Sequence, residues 1–342
     1  MRPRRKEPDV PRNVWNAGTL EWALPVPQPP YAMRSIPVVN SRYPLWDDKD
    51  FVHSMDEGRG YLASAPEGKR ETLVTSVLDA QPLQVLRVGK PTWLPMIAAF
   101  GLGAVFIFST YKLWIPTALG GVVFLAALLR WLWTGTAIIP EKPSKDVGGG
   151  LELPLYVSGV RSTGWWAMFI TMTGDLTAFL SLIFGYFFFW TVHPNFPPEG
   201  MDGPGWQWPA VAAVVVLAAW ALTLFARIAN RAGRVVLARW LLGGGLAAAG
   251  AGALALVAGP LTTGLDPTTN SYPAIVWALV VWTVAHLMVG MLMQGYCVAR
   301  SVFRKMTPEH DADLWNVTLY WHFAGFGALL TALVIGGFPL LT

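Results

Sequence analysis

The sequence predicts an all-α membrane protein. Seven transmembrane helices are set as two plus five, with the N-terminus cytoplasmic and the C-terminus periplasmic. Three observations predict this. First, 54% of the 342 residues are hydrophobic and only 13% are charged, about half the charge of a soluble protein. Mean hydropathy is +0.42. Second, seven apolar stretches have the ~20 residues needed to cross a ~30 Å hydrocarbon core. They run about 93–111, 114–133, 164–192, 209–227, 237–259, 273–298 and 315–340. Third, Lys and Arg collect on one side of them. Thirteen precede the first stretch. Eleven more (Arg130, Lys142, Lys145, Arg161, Arg227, Arg231, Arg234, Arg239, Arg300, Arg304 and Lys305) lie in loops on that same side, and Lys112 stands alone opposite. Positive loops mark the cytoplasmic face. An ordinary soluble enzyme and a disordered chain are excluded by this composition.

Residues 1–52 form a cytoplasmic tail and 53–91 a linker. Their polar, proline-rich character is the opposite of an apolar signal core. A basic run, Arg2 to Lys6, precedes Pro8 and Pro11. The stretch Pro25-Val26-Pro27-Gln28-Pro29-Pro30 cannot be helical, because proline lacks the N–H donor and fixes φ. An extended strap on a partner surface is expected, rather than a folded domain. Pro66-Glu67-Gly68-Lys69-Arg70 reads as a charged loop, and Thr75 to Asp79 has no decisive pattern.

Residues 92–134 form a two-helix hairpin turning at Lys112-Leu113. A loop, 135–162, carries Pro140, Pro143 and Gly148 to Gly150, and sets the hairpin apart from a five-helix bundle over 163–342. The fifth span is mostly Ala, Gly and Leu, small enough for close backbone approach in lipid. Trp131, Trp133, Trp165, Trp166, Trp190, Trp206 and Trp208 cluster near span ends, as an aromatic belt does.

One cysteine, Cys297, excludes a disulfide framework and an iron–sulfur site. Asp175 is the most informative polar residue. It lies 11 residues into the third span, about 16 Å deep at 1.5 Å per residue. A carboxylate there costs at least ~2.5–3.5 kcal/mol and ordinarily faces protein or water. It reads either as a proton-exchanging group or as a hydrogen-bonded structural one, with Thr171, Thr173, Thr177 and Ser181 close enough to supply hydrogen bonds. His286 sits halfway along span six and His322 near the start of span seven. Two membrane histidines fall well short of a haem–copper set. Hydrogen bonding between helices is the simpler role, a proton relay or one shared metal ion the alternatives. Met288, Met291 and Met293 fall at mixed spacings and read as packing, although copper(I) favours thioethers. Arg130 and Arg161 flank spans and read as lipid head-group contacts or as snorkelling side chains. His193 reads as a solvated loop residue. Nothing in the pattern points to nucleic acid.

Trp166-Ala167-Met168-Phe169-Ile170-Thr171-Met172-Thr173-Gly174-Asp175, continuing to Phe187-Phe188-Phe189-Trp190, resembles the third helix of cytochrome c oxidase subunit III. His286-Leu287-Met288-Val289-Gly290 resembles part of that family's sixth helix, and Tyr320-Trp321-His322-Phe323 the opening of its seventh. Asn13-Val14-Trp15, Thr19-Leu20-Glu21-Trp22, Pro29-Pro30 and Ile36-Pro37-Val38 resemble the tail that ends subunit I. Arg70 to Ala80 resembles the join in fused subunit I+III chains. Four residues depart from the family. Asp175 stands where glutamate is usual, Thr283 where the sixth helix carries a second histidine, and Trp315 and Gly325 near the usual acidic residues of the seventh.

The resemblance implies an accessory subunit III-like part of an aerobic terminal oxidase in the bacterial plasma membrane, with no redox centre of its own. Haem and copper would belong to the partner subunits I and II. This chain would hold phospholipid, offer oxygen a path and sustain proton uptake, with Asp175 in the lipid and oxygen cleft. An accessory subunit of a quinol oxidase or nitric-oxide reductase is the alternative. A proton-coupled transporter is a further one, for which paired discontinuous helices and inverted repeats are missing from the sequence.

Overall fold

The computed structural model describes residues 11–28, 33, 35–62, 70–89, 91–135, 139–140 and 142–340. The basic run Arg2 to Lys6, Pro8, the Pro29-Pro30 pair and the Pro66 to Lys69 stretch lie outside the described residues. The chain is mostly helical and divides into two compact units, residues 1–156 and 157–342.

The first unit opens with a 3-10 turn, Leu20–Ala23, followed by α1 (Pro44–Asp47) and α2 (Phe51–Glu57). Phe51 and Met55 are one turn apart on α2, so both face the same way. They are buried with Ala23, and Leu20, Met33, Leu45 and Val52 pack around them. This small core corrects the expectation of an extended strap. The proline run constrains its own residues, but the apolar side chains on either side of it close on one another.

Residues 53–91, expected as a linker, hold most of α2 and an antiparallel pair, β1 (Arg70–Thr75) and β2 (Pro82–Val88). In β2 the buried residues are the adjacent Gln84 and Val85 rather than alternate ones. Leu73 lies opposite Val85, and Val85 is fully buried. The expected loop 135–162 likewise contains β3 (Ser144–Asp146) and β4 (Glu152–Pro154). Gly148, Gly149 and Gly150 make their turn with φ of +104°, +62° and +77°, values that favour glycine. Val85, Val147, Leu153 and Leu155 form a shared core with Tyr61, Leu62, Leu73 and Leu151. Glu71, 1% exposed, is held between Arg87 (Nε, 2.9 Å) and Lys145 (Nζ, 2.5 Å). One carboxylate thus ties β1, β2 and β3 together.

The first unit also contains the helical hairpin, α3 (Leu94–Thr110) and α4 (Trp114–Gly135). Gly101 and Gly120 are its contact points. A Cβ on Gly101 would stand 2.6 Å from the Phe124 amide nitrogen, and one on Gly120 2.9 Å from Ala104 Cβ. The 17 residues of α3 span only about 26 Å at 1.5 Å each. Among the described residues, six other helices are long and apolar enough to cross a membrane: α4 and the five of the second unit.

These five are α5 (Thr163–Val192), α6 (Gln207–Arg231), α7 (Val235–Thr262), α8 (Ser271–Val302) and α9 (Ala312–Ala332), the last continuing through a π turn, Leu333–Gly337, to a 3-10 turn, Phe338–Leu340. Their buried residues recur every three or four positions. On α6 the series is Ala212, Val216, Ala219, Thr223 and Ala226, and on α7 Leu242, Gly245, Ala249, Gly252, Leu256 and Gly259. Both seams are mostly Gly and Ala, so the two backbones approach closely. A Cβ on Gly252 would stand 2.6 Å from Val216 Cγ2. This bears out the small-residue reading of the fifth span.

Replacing Glu71 by Ala leaves Arg87 and Lys145 without their anion. We expect a loss of about 2–4 kcal/mol in the first unit. It should show as faster backbone hydrogen exchange over 82–88 and 144–154, with exchange in α6 and α7 unchanged.

Candidate functional site

Three helices bring together the residues singled out in the sequence. α8 places Trp282 and His286 one turn apart, and their rings stack with centres 3.8 Å apart. His286 Nδ1 lies 2.8 Å from the Trp282 carbonyl oxygen. A carbonyl only accepts, so Nδ1 carries the hydrogen. Nε2 is then the free nitrogen, and it lies 3.8 Å from Asp175 Oδ2 of α5. From α9, Tyr320 Oη donates to the His286 carbonyl at 3.0 Å, and Phe323 sets its ring edge-on to both Trp282 and His286. The Phe179 ring of α5 stacks on Trp282 at 4.3 Å. The imidazole is fixed on all sides but one, and that side faces the carboxylate.

This geometry sets two groups that can each carry a proton side by side partway along α5. With Nε2 protonated the pair is an imidazolium and a carboxylate. With the proton on Asp175 it is a neutral imidazole and a carboxylic acid. At 3.8 Å the two are within ion-pair reach but beyond a direct hydrogen bond. Asp175 is also less enclosed than its depth suggested: its side chain is 49% exposed, against 19% for His286.

The hydroxyls expected to serve Asp175 do something else. Thr171, Thr173, Thr177 and Ser181 donate to the carbonyls of Ala167, Phe169, Thr173 and Thr177, at 2.9–3.0 Å. A helical Ser or Thr finds the carbonyl four residues back without changing rotamer. This local partner outcompetes the neighbouring carboxylate.

His322 joins a different neighbour. It follows Tyr320 by two residues, about 200° around the helix. Its Nδ1 accepts from Trp220 Nε1 of α6 at 3.1 Å. His286 and His322 therefore sit on opposite sides of α9 and face different neighbours. Among the described residues, no group of three His, Cys, Asp or Glu side chains gathers as metal ligands. Arg130 ends α4's last turns and Arg161 ends the 3-10 turn Gly159–Arg161. Both are exposed, and neither has an ion pair among the described residues. Met291 and Met293 pack on the core, whereas Met288 is 61% exposed. His193 ends α5, stacked on Phe189.

Thr283, Gly325 and Trp315, which differ from the resembled helices, each make a specific local contact. Thr283, in place of a histidine, shares a 2.7 Å hydrogen bond with Thr331 of α9. Gly325 makes room for Trp220: a Cβ there would stand 2.6 Å from its ring. Trp315 lies beneath two guanidinium groups, those of Arg227 and Arg231. Trp220, Trp282 and Arg227 join these sites only through the fold. The four-residue step from Trp282 to His286 was the available signal for one of them. Trp220 needed a contact 102 residues away. The chain matches no family model, and no curated protein is a significant match to it.

Substituting Gly325 by Ala forces Trp220 off its site and breaks its bond to His322. Thermal unfolding of the chain in detergent should show a loss of about 1–3 kcal/mol. Trp220→Phe keeps an aromatic ring but removes the N–H donor and part of the indole's volume, at about 1–3 kcal/mol.

Proposed function

We propose that this chain is an accessory, non-catalytic, subunit III-like part of an aerobic terminal haem–copper oxidase, embedded in the bacterial plasma membrane. The observation that carries the reading is the meeting of its three motif-bearing helices. Asp175 of α5, His286 of α8 and Tyr320 of α9 form one cluster, and each comes from a segment that resembles the corresponding helix of subunit III. The chemistry of the donor set agrees. The two membrane histidines face a carboxylate and an indole, not each other, so haem and copper are assigned to subunits I and II. In this reading Asp175 and His286 hold a proton within the bilayer beside the path for oxygen and lipid. Arg130 and Arg161 lie where lipid head groups reach them. The first unit, with its subunit I-like and join-like segments, contacts the catalytic subunits.

The orientation belongs to the same proposal. α3 joins the six long helices as the seventh span, its short length met by a local thinning of the bilayer, with the N-terminus inside. A single cysteine introduced at Lys112, in a chain with Cys297→Ser, should then react with a membrane-impermeant maleimide added outside intact cells. Reaction only after the cells are opened would reverse the topology.

The functional test is Asp175→Ala in the assembled oxidase. Turnover should fall, or the enzyme should inactivate after fewer turnovers, with haem content unchanged. A variant matching the parent in both respects contradicts a role for the carboxylate.

A further inference from the structure

α6 continues four residues past the apolar stretch that predicts it. Its last turns carry Arg227 and Arg231, four residues apart and on one face. Both guanidinium carbons lie over the Trp315 ring of α9, 4.2 and 4.7 Å from its centre. Each gains from the indole face, but two cations on one ring repel each other. One nearby carboxylate answers them: Asp311, its side chain 3% exposed, lies 3.7 Å from Arg231 Nε. Asp311 also acts on the charge of Arg227, which is half-buried and has no hydrogen-bond acceptor among the described residues. Beside it, Trp315 Nε1 is buried and has no hydrogen-bond partner. The far side of the indole is closed by Gly159, where a Cβ would stand 2.9 Å from the ring.

This end of the second unit therefore holds two guanidiniums that share one carboxylate, itself without a hydrogen bond to its Oδ2, and an N–H donor with no partner among the described residues. The two guanidiniums and the indole N–H only donate, and two positive charges face the one carboxylate of Asp311. A phosphate is the anion that matches, since guanidinium forks pair with its oxygens. Arg227 lies one turn inside the end of a long apolar helix, at the level where a bilayer places its phosphates. Phe225 and Ile228, 57% and 59% exposed, flank it with apolar surface suited to acyl chains.

We propose that Arg227, Arg231 and Trp315 Nε1 form a binding site for a phosphate-bearing anion, occupied by the head group of an anionic phospholipid. The proposal rests on the membrane reading of the helices and not on the oxidase assignment, so either can fail alone.

The test is native mass spectrometry of the full chain released from phosphatidylcholine nanodiscs containing phosphatidylglycerol. The parent chain should retain phosphatidylglycerol in preference to phosphatidylcholine. Arg227→Gln should lower that retention about tenfold, as expected for the loss of one charge-assisted contact, and Arg227→Lys should lower it less. Retention by the parent should also weaken with added salt, because surface ion pairing is screened; this arm stands even if the Gln variant fails to fold. Equal retention of the two lipids, salt-independent retention, or an Arg227→Gln chain that binds like the parent would overturn the proposal. Binding of inorganic phosphate that is sensitive to Arg227→Gln, with no preference among lipids, would overturn the lipid as occupant.

Discussion

α8 is the helix to which the rest of the second unit is pinned. In hydrocarbon a polar side chain must find its partner within the protein, and apolar surfaces have little reason to leave lipid for each other. Directional polar contacts and close backbone approach must then do the work of association. α8 provides most of the former. Gln294 donates to Thr223 of α6 at 2.7 Å. Thr283 meets Thr331 of α9, and the His286 carbonyl accepts from Tyr320. Ser301 accepts from Arg239 of α7 through both its hydroxyl and its carbonyl oxygen, at 2.8 and 2.9 Å. His286 Nε2 faces Asp175 of α5. Each contact reaches a different helix or a different depth, and together they leave α8 one rotation and one height. Close approach completes the arrangement: Gly245 lies so near α8 that a Cβ would stand 2.9 Å from Gln294 Nε2.

The same contacts place the candidate site. His286 is oriented by groups that are there for packing: the Trp282 carbonyl, the Trp282 ring and the edge of Phe323. A rigid imidazole at fixed depth beside a half-exposed carboxylate follows from them. Asp175 has one protein partner on α8 and an open side. That asymmetry suits a group that must exchange protons or meet a partner subunit better than one that only locks two helices.

The helices were legible in the sequence because membrane-length apolar runs are a strong signal. The expected stretches fall within a few residues of α3 to α9. The differences come mainly at ends such as Arg231, where a helix runs past its apolar part and the guanidinium reaches outward. Asp175 and His286 were also legible, since a charge or an imidazole amid apolar residues stands out. Their partners were not. Trp220 and Trp315 look like any interfacial aromatic until the fold brings His322 and Arg227 to them. The ribbons of the first unit were missed for a different reason. Short strands such as Ser144–Asp146 carry too few residues to show a period. Glu71, the buried carboxylate that joins them, is sequentially remote from Lys145.

What this chain assembles with decides its role. The most direct measurement is gentle-detergent purification of the tagged chain from its native membrane, followed by a visible absorption spectrum of what accompanies it. Haem bands co-purifying with larger subunits in fixed proportion are the predicted result. A chain that emerges intact from that membrane, colourless and alone, would contradict the oxidase assignment.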